Sequence, residues 1–178
     1  MLRLTGGLFR YKHREDSYLE AAMRYARVPV KQAVISPSAL SLQYPHESTR
    51  GYSREEFIHD LLAEHETEIR KCLRKGAHCL QIDFTEGRLA VKIDPTGALL
   101  HSFIDLDKLA LARCTAEGRR RLGVHTYPGA SADVDYSDLL PSHFYVALAR
   151  ERDGIHVLKI LGDHLKPEQR ILVGVLHR

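Results

Sequence analysis

Residues 78–88 contain the first side chains that could do chemistry, because this run changes from apolar to ionisable within a few positions. Residues 79–82 predict a short buried strand, and the acidic residues Asp83 and Glu86 follow it. Ligands of α/β proteins usually bind at the carboxyl ends of strands, where a carboxylate can hold a substrate ammonium group by a charge-assisted hydrogen bond. An aspartate in this position can instead cap the following loop. We predict that Asp83 and Glu86 belong to a substrate site.

Polar side chains follow the other predicted strands as well. If all strands are parallel, their carboxyl ends place on one rim Ser36, Ser38, Asp83, Glu86, His125, Tyr127, Arg150 and Glu151. Of these, His125 ends an apolar run, where an imidazole can be a metal ligand, a general acid or base, or a hydrogen-bonded core histidine. A zinc site needs about four donors, and spacing alone offers only His125 with a nearby carboxylate. The role of His125 stays open on this ground.

The elements that would position these residues follow from periodicity and turn chemistry. Ser53 and Glu56 form a capping box ahead of an apolar stripe, which predicts a helix up to Gly76. Further helices are predicted from Asp16 to before Pro29, around residues 105–113 and over residues 153–164. Strands are predicted over residues 30–35, 79–82, 122–126, 144–148 and 171–176. The turn residues Ser36, Pro37 and Ser38 predict the start of a polar loop that runs to Arg50.

Five apolar strands alternating with helices predict an α/β fold with a parallel sheet that is covered on both faces. Two architectures fit this order of elements. One is an open doubly wound sheet, and the other is part of a (β/α)8 barrel that lacks about three strands. No glycine-rich phosphate-binding motif follows any strand, so the sequence does not favour a nucleotide site.

The composition is globular, with 44% apolar and 28% charged residues in a chain of 178. We expect one domain over residues 16–178, preceded by a poorly defined N-terminal segment, residues 1–15. No apolar run reaches the ~18 residues of a membrane span, and the three cysteines form no C-x-x-C pair, which favours a cytoplasmic protein. The formal charge is only +3, and the dense basic run 119–121 is more typical of a solvated helix end than of a nucleic-acid site.

Four segments in a fixed order carry a resemblance to a known family. They are residues 30–38 (VKQAVISPS), 51–55 (GYSRE), 81–88 (QIDFTEGR) and 123–126 (GVHT). Over residues 16 to 175 the chain resembles the catalytic domain of cobalamin-independent methionine synthases, and it looks closest to the short, core-type members. The resemblance implies a (β/α)8 TIM barrel, here a partial barrel of about five parallel strands. It also implies a zinc-dependent methyltransferase that converts homocysteine to methionine, with a methylated folate or a methyl-corrinoid as donor.

Position by position, the resemblance implies roles for three residues. Asp83 matches the acidic residue that holds the homocysteine amino group, His125 matches a zinc ligand, and Glu151 corresponds to a glutamate ligand after the next strand. We add Ser36 and Glu86 to the predicted substrate-binding residues, and the sequence does not identify which residue is catalytic. The family has a cysteine two residues after the histidine, where this chain has Tyr127, and a last cysteine ligand that this chain does not reach.

These departures leave the activity open between several readings. In the first reading the chain is a homocysteine methyltransferase, which functions with a corrinoid protein or with a polypeptide that completes the barrel. Alternatively it is a truncated, non-catalytic barrel that binds a partner or a small ligand, or a related thiol methyltransferase or decarboxylase. A partial barrel exposes the edges of its first and last strands, so we also expect it to associate with another chain.

Overall fold

The computed structural model describes residues 3–47, 49–126, 143–149 and 153–175. These residues form an α/β fold with five parallel strands in one sheet, which confirms the predicted partial barrel of the TIM type. The strands are β1 Lys31–Ile35, β2 Cys79–Phe84, β3 Leu122–Thr126, β4 His143–Ala147 and β5 Arg170–Gly174. The helices are α1 Asp16–Met23, α2 Pro37–Ser41, α3 Arg54–Arg74, α4 Gly87–Ile93, α5 Ala98–Ala112, α6 Ala116–Arg119 and α7 Gly154–His164.

The strands lie side by side in the order of the sequence, and each pair of neighbours is parallel. All carboxyl ends therefore lie at one edge of the sheet, as the prediction of a common rim requires. The register places Ile35 of β1 opposite Asp83 of β2, and Asp83 opposite His125 of β3. The sheet thus brings together two polar residues that are 42 positions apart in the chain.

The longest helix, α3, forms as its sequence predicts. The Ser53 hydroxyl accepts the backbone N–H of Glu56 at 3.1 Å, and the Glu56 carboxylate accepts the N–H of Ser53 at 2.7 Å. This reciprocal cap satisfies two amides that the first helical turn leaves without partners. Phe57, Leu61 and Ile69 lie on the buried side of the helix. None of the helices in the described ranges is long and apolar enough to span a membrane.

The main core lies between the helices and one face of the sheet. Alternate strand residues enter it, namely Val34, Leu80, Ile82, Phe84, Leu122, Val124, Phe144 and Val146. They pack in one cluster with helical side chains such as Ile69 of α3 and Phe103 of α5. Burial of each large aliphatic or aromatic side chain contributes about 1.5–3 kcal/mol, so this cluster fixes the register of the strands.

The opposite face of the sheet is not covered by the described residues, which corrects the prediction of a sheet covered on both faces. On this side Ile35 is 53% exposed and Leu172 is 44% exposed. We call it the open face, and it carries the other strand residues, among them Lys31, Cys79, Gln81, Asp83, His125, His143 and Tyr145. In a closed barrel this face lines the interior, so its residues alternate with core residues along each strand.

Several helix boundaries differ from the sequence prediction. The predicted loop after β1 contains α2, because Ser36 caps the helix by accepting the N–H of Ala39 at 3.1 Å and Pro37 occupies the first helical position. The prediction also misses α4, which is too short to show a periodic stripe. Helix α5 begins at Ala98, well before the predicted residues 105–113, and α1 ends at Met23, short of the predicted end before Pro29.

The N-terminal segment contains no helix or strand among residues 3–15, yet it packs against the domain. Phe9 is buried in a second apolar cluster with Tyr52 and Phe57, and its backbone N–H donates to the Tyr52 hydroxyl at 3.0 Å. The backbone N–H of Tyr11 donates to the Glu64 carboxylate of α3 at 3.2 Å. The segment is therefore held by both apolar and polar contacts with α3 and the loop before it.

Candidate functional site

The centre of the candidate site is a carboxylate–imidazole pair at the carboxyl ends of two neighbouring strands. Asp83 Oδ1 lies 3.1 Å from His125 Nδ1, and both side chains point to the open face from paired positions of β2 and β3. The Asp83 side chain is 33% exposed and that of His125 is 26% exposed. The pair is thus half-buried and reachable from solvent, which suits a binding or proton-transfer site better than a structural contact in the core.

Two further side chains of the open face orient Asp83. The amide of Gln81 donates to Asp83 Oδ1 at 2.6 Å, and its carbonyl oxygen accepts from Lys31 Nζ at 2.6 Å. Lys31 Nζ also lies 4.0 Å from the centre of the Tyr145 ring, a cation–π distance. These contacts run across β1, β2 and β4, so a row of polar residues fixes the direction in which the Asp83 carboxylate points.

A cavity of 300 Å³ lies over the open face beside this row. Its polar walls are Lys31, Gln81, His125 and Tyr145, and the backbone and side chains of β4 and β5 close the other side. The volume is at the lower end of the range of small-molecule sites, about 300–1,000 Å³. An amino acid or another small polar ligand is the size of molecule that such a cavity accepts.

The other predicted substrate residues, Ser36 and Glu86, lie together but are buried. The Ser36 hydroxyl donates to Glu86 Oε1 at 2.6 Å, and the Ser38 hydroxyl contacts the same oxygen. Glu86 Oε2 is buried as well, and it has no hydrogen-bond partner among the described residues. The backbone N–H of Ser36 donates to the Asp83 carbonyl at 3.3 Å, so this cluster borders the Asp83–His125 pair but does not face the cavity. Their role with substrate stays a prediction.

A fourth member of the buried cluster is Asp107 of α5. Its Oδ1 accepts the backbone N–H of Ser38 at 3.0 Å, and its Oδ2 lies 2.9 Å from the Ser38 hydroxyl. That hydroxyl has one proton and stands between two carboxyl groups, so it can donate to only one of them, and a proton on the other carboxyl group satisfies the second contact. Burial, and then the negative charge of Glu86, raise the pKa of Asp107 well above its usual value. Asp107 therefore keeps its proton to a higher pH than an exposed aspartate does.

The predicted zinc ligands are only partly described. Among the residues that the structure describes, no three histidine, cysteine, aspartate or glutamate side chains form a group that could hold a metal. Cys72 and Cys114 are buried in the core, and Cys79 starts β2, whereas Asp83 lies towards its carboxyl end. His125 and Asp83 thus supply two donors where zinc takes about four, so the described donor set does not fit a four-coordinate site.

Three residues of the predicted rim, Tyr127, Arg150 and Glu151, lie outside the described residues. The assignment of Glu151 as a zinc ligand, and the question of whether Tyr127 replaces a cysteine, therefore stay predictions. The structure does place on the rim the predicted residues that follow or end β1, β2 and β3. Asp83 and His125 lie on the open face, and Ser36, Ser38 and Glu86 are buried.

Sequence reasoning does not assign a role in the site to Lys31, Gln81, Tyr145 or Asp107. The signal for Gln81 is the polar–apolar alternation of Cys79–Phe84, which indicates a strand with one open face rather than two buried ones. Asp107 is a polar residue on the buried side of an otherwise apolar helix. A buried carboxyl group needs a partner, but the sequence does not indicate that the partner is Ser38, 69 residues earlier.

No protein-family model matches the sequence, and a comparison with curated proteins finds no significant similarity. In fold, the chain is similar to the crystal structure of a protein from Listeria monocytogenes whose assignment as a vitamin-B12 independent methionine synthase is provisional. The TM-score is 0.73 and the sequence identity is 20%, over 97% of this chain and 54% of that chain. This chain therefore spans about half the length of the structure it matches. At this identity the likeness shows a common fold.

Proposed function

We propose that this domain binds an amino-acid thiol of the homocysteine type on the open face and transfers a methyl group to its sulfur. The observation that carries the proposal is the half-buried Asp83–His125 pair, 3.1 Å apart at the carboxyl ends of β2 and β3. It occupies the edge at which barrel enzymes bind their substrates, beside a cavity of amino-acid size. The fold shared with the Listeria protein supports the choice of reaction.

The two side chains have different tasks in this proposal. Asp83 Oδ1 accepts from Gln81 and faces His125 Nδ1, while Oδ2 has no hydrogen bond within the described part of the chain. Oδ2 is therefore the oxygen that accepts the ammonium group of the substrate, in a charge-assisted bond. The contact with Oδ1 holds the imidazole of His125 in one orientation, as an aspartate does for a general base.

The chemical step needs the thiolate, because the thiolate rather than the thiol is the nucleophile. His125 takes the proton from the thiol, and the sulfur lone pair forms the new S–CH3 bond. The bond between the methyl group and its donor breaks, and its electron pair stays on the donor. We propose a methylated folate or a methyl-corrinoid carried by a partner protein as the donor, and a cytoplasmic location for the reaction. Asp83 and His125 are the two groups in these steps that the structure describes.

The test is to measure homocysteine binding by calorimetry, and methyl transfer from a methylated folate and from methylcobalamin, on the same preparations. Loss of the charge in Asp83→Asn removes a bond to a charged group, worth about 1.5–3 kcal/mol, so affinity falls roughly 10- to 150-fold. His125→Gln retains most of the binding and loses transfer. Asp163→Asn changes an exposed aspartate of α7 and serves as the matched control. Binding that is insensitive to Asp83→Asn would contradict the proposal.

A second candidate function is binding without catalysis. It is favoured by the small number of metal-ligating side chains near His125. Within the described residues Asp83 is the carboxylate beside it, and no three such side chains form a metal-binding group. In that case Asp83→Asn weakens binding, but neither methyl donor gives turnover in the wild type and His125→Gln changes nothing further. Metal analysis of the purified protein decides on zinc independently, since one equivalent of tightly bound zinc requires ligands from outside the described residues.

We also propose that a second polypeptide or a second copy completes the barrel. In the described residues β1 pairs only with β2 and β5 pairs only with β4, so both outer strands present unpaired backbone groups. The open face between them would become the barrel interior, and the matched Listeria chain is nearly twice as long. Sedimentation analysis of the chain alone tests the second-copy form, and a stable monomer over a wide concentration range would contradict that form.

A further inference from the structure

A second concave surface lies at the opposite end of the sheet from the Asp83–His125 pair. We call it the basic groove, and it has a volume of 680 Å³. Its walls include the residues at which strands begin, such as Cys79 of β2, His143 of β4 and Arg170 of β5. Cys79 and Asp83 are four residues apart on β2, so the groove lies about 13 Å from the candidate site along the strand. The two surfaces therefore bind different molecules, or different parts of a large one.

The groove collects positive charge from distant parts of the sequence. Its charged walls are Arg119, Arg120, Arg121, Lys166 and Arg170, with Glu168 as the single acid. Five cations and one acid give these six residues a net formal charge of +4, which exceeds the +3 of the whole chain. Crowded like charges destabilise a fold, and an arrangement of this kind is stabilised when an anion binds. The positive potential of the groove therefore favours binding of a multiply charged anion.

Part of this basic set has a structural task, as the sequence predicts for a helix end. Arg119 donates to the Cys114 carbonyl at 2.6 Å, and Arg121 donates to the carbonyls of His78 and Ala77. The side chains of Lys166 and Arg170 make no hydrogen bond or ion pair within the described residues, and Lys166 bonds to Gln169 through its backbone. These two cations are thus the ones available to a ligand, and they lie on the segment that leads from α7 into β5.

The pKa of His143, at the start of β4, responds to the positive charge in the groove. Burial, followed by the positive charges of Arg170 and His78, lowers the pKa of His143 from its usual value. The walls formed by described residues contain no phenylalanine, tyrosine or tryptophan on which a base could stack. Binding of single-stranded nucleic acid usually combines a basic groove with such rings, so the charged lining here favours phosphate groups.

We propose that the basic groove binds a small molecule with two or more phosphate groups. Arginine pairs with phosphate through two parallel N–H···O bonds and lysine provides a point charge, so Arg170 and Lys166 would contact the ligand directly. Arg120 and Arg121 add to the positive potential of the wall. The volume of the groove falls within the range of small-ligand sites, about 300–1,000 Å³. This site is independent of methyl transfer.

The experiment titrates the wild-type chain with inorganic diphosphate and tripolyphosphate in magnesium-free buffer, by calorimetry at two salt concentrations. The groove variant combines Lys166→Gln with Arg170→Gln, and the control combines Arg74→Gln with Lys159→Gln, which removes the same charge from exposed positions on α3 and α7. We expect the groove variant to bind diphosphate at least tenfold more weakly and the control to bind within about twofold of wild type. Circular dichroism melts establish that both variants fold.

A second readout separates a built site from general attraction of anions. Bound phosphate stabilises the charged imidazole of His143, so diphosphate should raise the pKa of His143 in a histidine NMR titration of wild type but not of the groove variant. Equal weakening in groove and control variants would overturn the proposal, as would the absence of saturable diphosphate binding. Tighter binding of a nucleic-acid oligomer than of tripolyphosphate would also overturn it.

Discussion

Replacement of Asp107 by Asn tests whether Asp107 holds a proton in the buried cluster that it forms with Ser36, Ser38 and Glu86. In the folded protein burial and the charge of Glu86 raise the pKa of Asp107 well above its usual value, whereas in the unfolded chain it ionises above about pH 3.9. The unfolded state therefore releases a proton that the folded state retains. Stability falls as the pH rises, by about 1.4 kcal/mol per pH unit, until the pH reaches the raised pKa of the folded state. In Asp107→Asn this loss is absent, because the carboxamide does not titrate.

The variant also has a cost that does not depend on pH. The Asn oxygen can accept the N–H of Ser38 and its NH2 group can donate to the Ser38 hydroxyl, in the same positions as the acid. One amide hydrogen then has no acceptor, which costs about 1–3 kcal/mol in a buried site. The variant is therefore less stable than wild type near pH 4. The two stability curves cross about one to two pH units higher, and above the crossing the variant is the more stable protein.

The assay is urea unfolding followed by circular dichroism between pH 4 and pH 8 for wild type, Asp107→Asn and Asp105→Asn. Asp105 precedes Asp107 on the same helix by two residues, but its side chain is 71% exposed, so its variant should keep the wild-type dependence on pH. Infrared spectra in heavy water should show a protonated carboxylic acid band in wild type that Asp107→Asn lacks. Parallel stability curves and an unchanged infrared spectrum would refute the assignment of the proton to Asp107.

Two other predictions follow from buried or crowded positions. Burial lowers the pKa of His65 to about 4, whereas the imidazole of the unfolded chain protonates below about pH 6.5. The free energy of unfolding therefore falls by about 3 kcal/mol as the pH drops from about 6.5 to about 4. In His65→Leu the acid limb of the urea-unfolding profile should be flatter by that amount, and an unchanged limb would contradict the prediction. A Cβ atom on Gly123 would lie 2.5 Å from the Tyr145 ring, so Gly123→Ala should lose about 1–3 kcal/mol in urea unfolding. Gly162→Ala in α7, where a Cβ meets open space, is the control and should gain about 0.5–1 kcal/mol.

The sequence predicts the parts of the site that depend on strand order, and it misses those that depend on side-chain contacts between distant elements. Asp83 and His125 can be placed on one rim because both follow apolar runs and parallel strands end at the same edge. Asp107 cannot be placed, since its contact with Ser38 depends on how α5 packs against α2. The open face is indicated only by alternation within single strands such as Cys79–Phe84, because a partial barrel and a doubly wound sheet share the same order of elements.

Besides the contact from Gln81, residues that do not touch the Asp83–His125 pair help to fix its geometry. Successive side chains of a strand point to opposite faces, so the register that buries Ile82 and Val124 also aims Asp83 and His125 at the open face. A slip of β3 by one residue would expose Val124, at a cost of about 1.5–3 kcal/mol, and would bury the imidazole without a partner, at a further cost of about 1–3 kcal/mol. Several kcal/mol of core packing thus hold the two polar groups in position, which explains how a half-buried and partly solvated pair keeps one geometry.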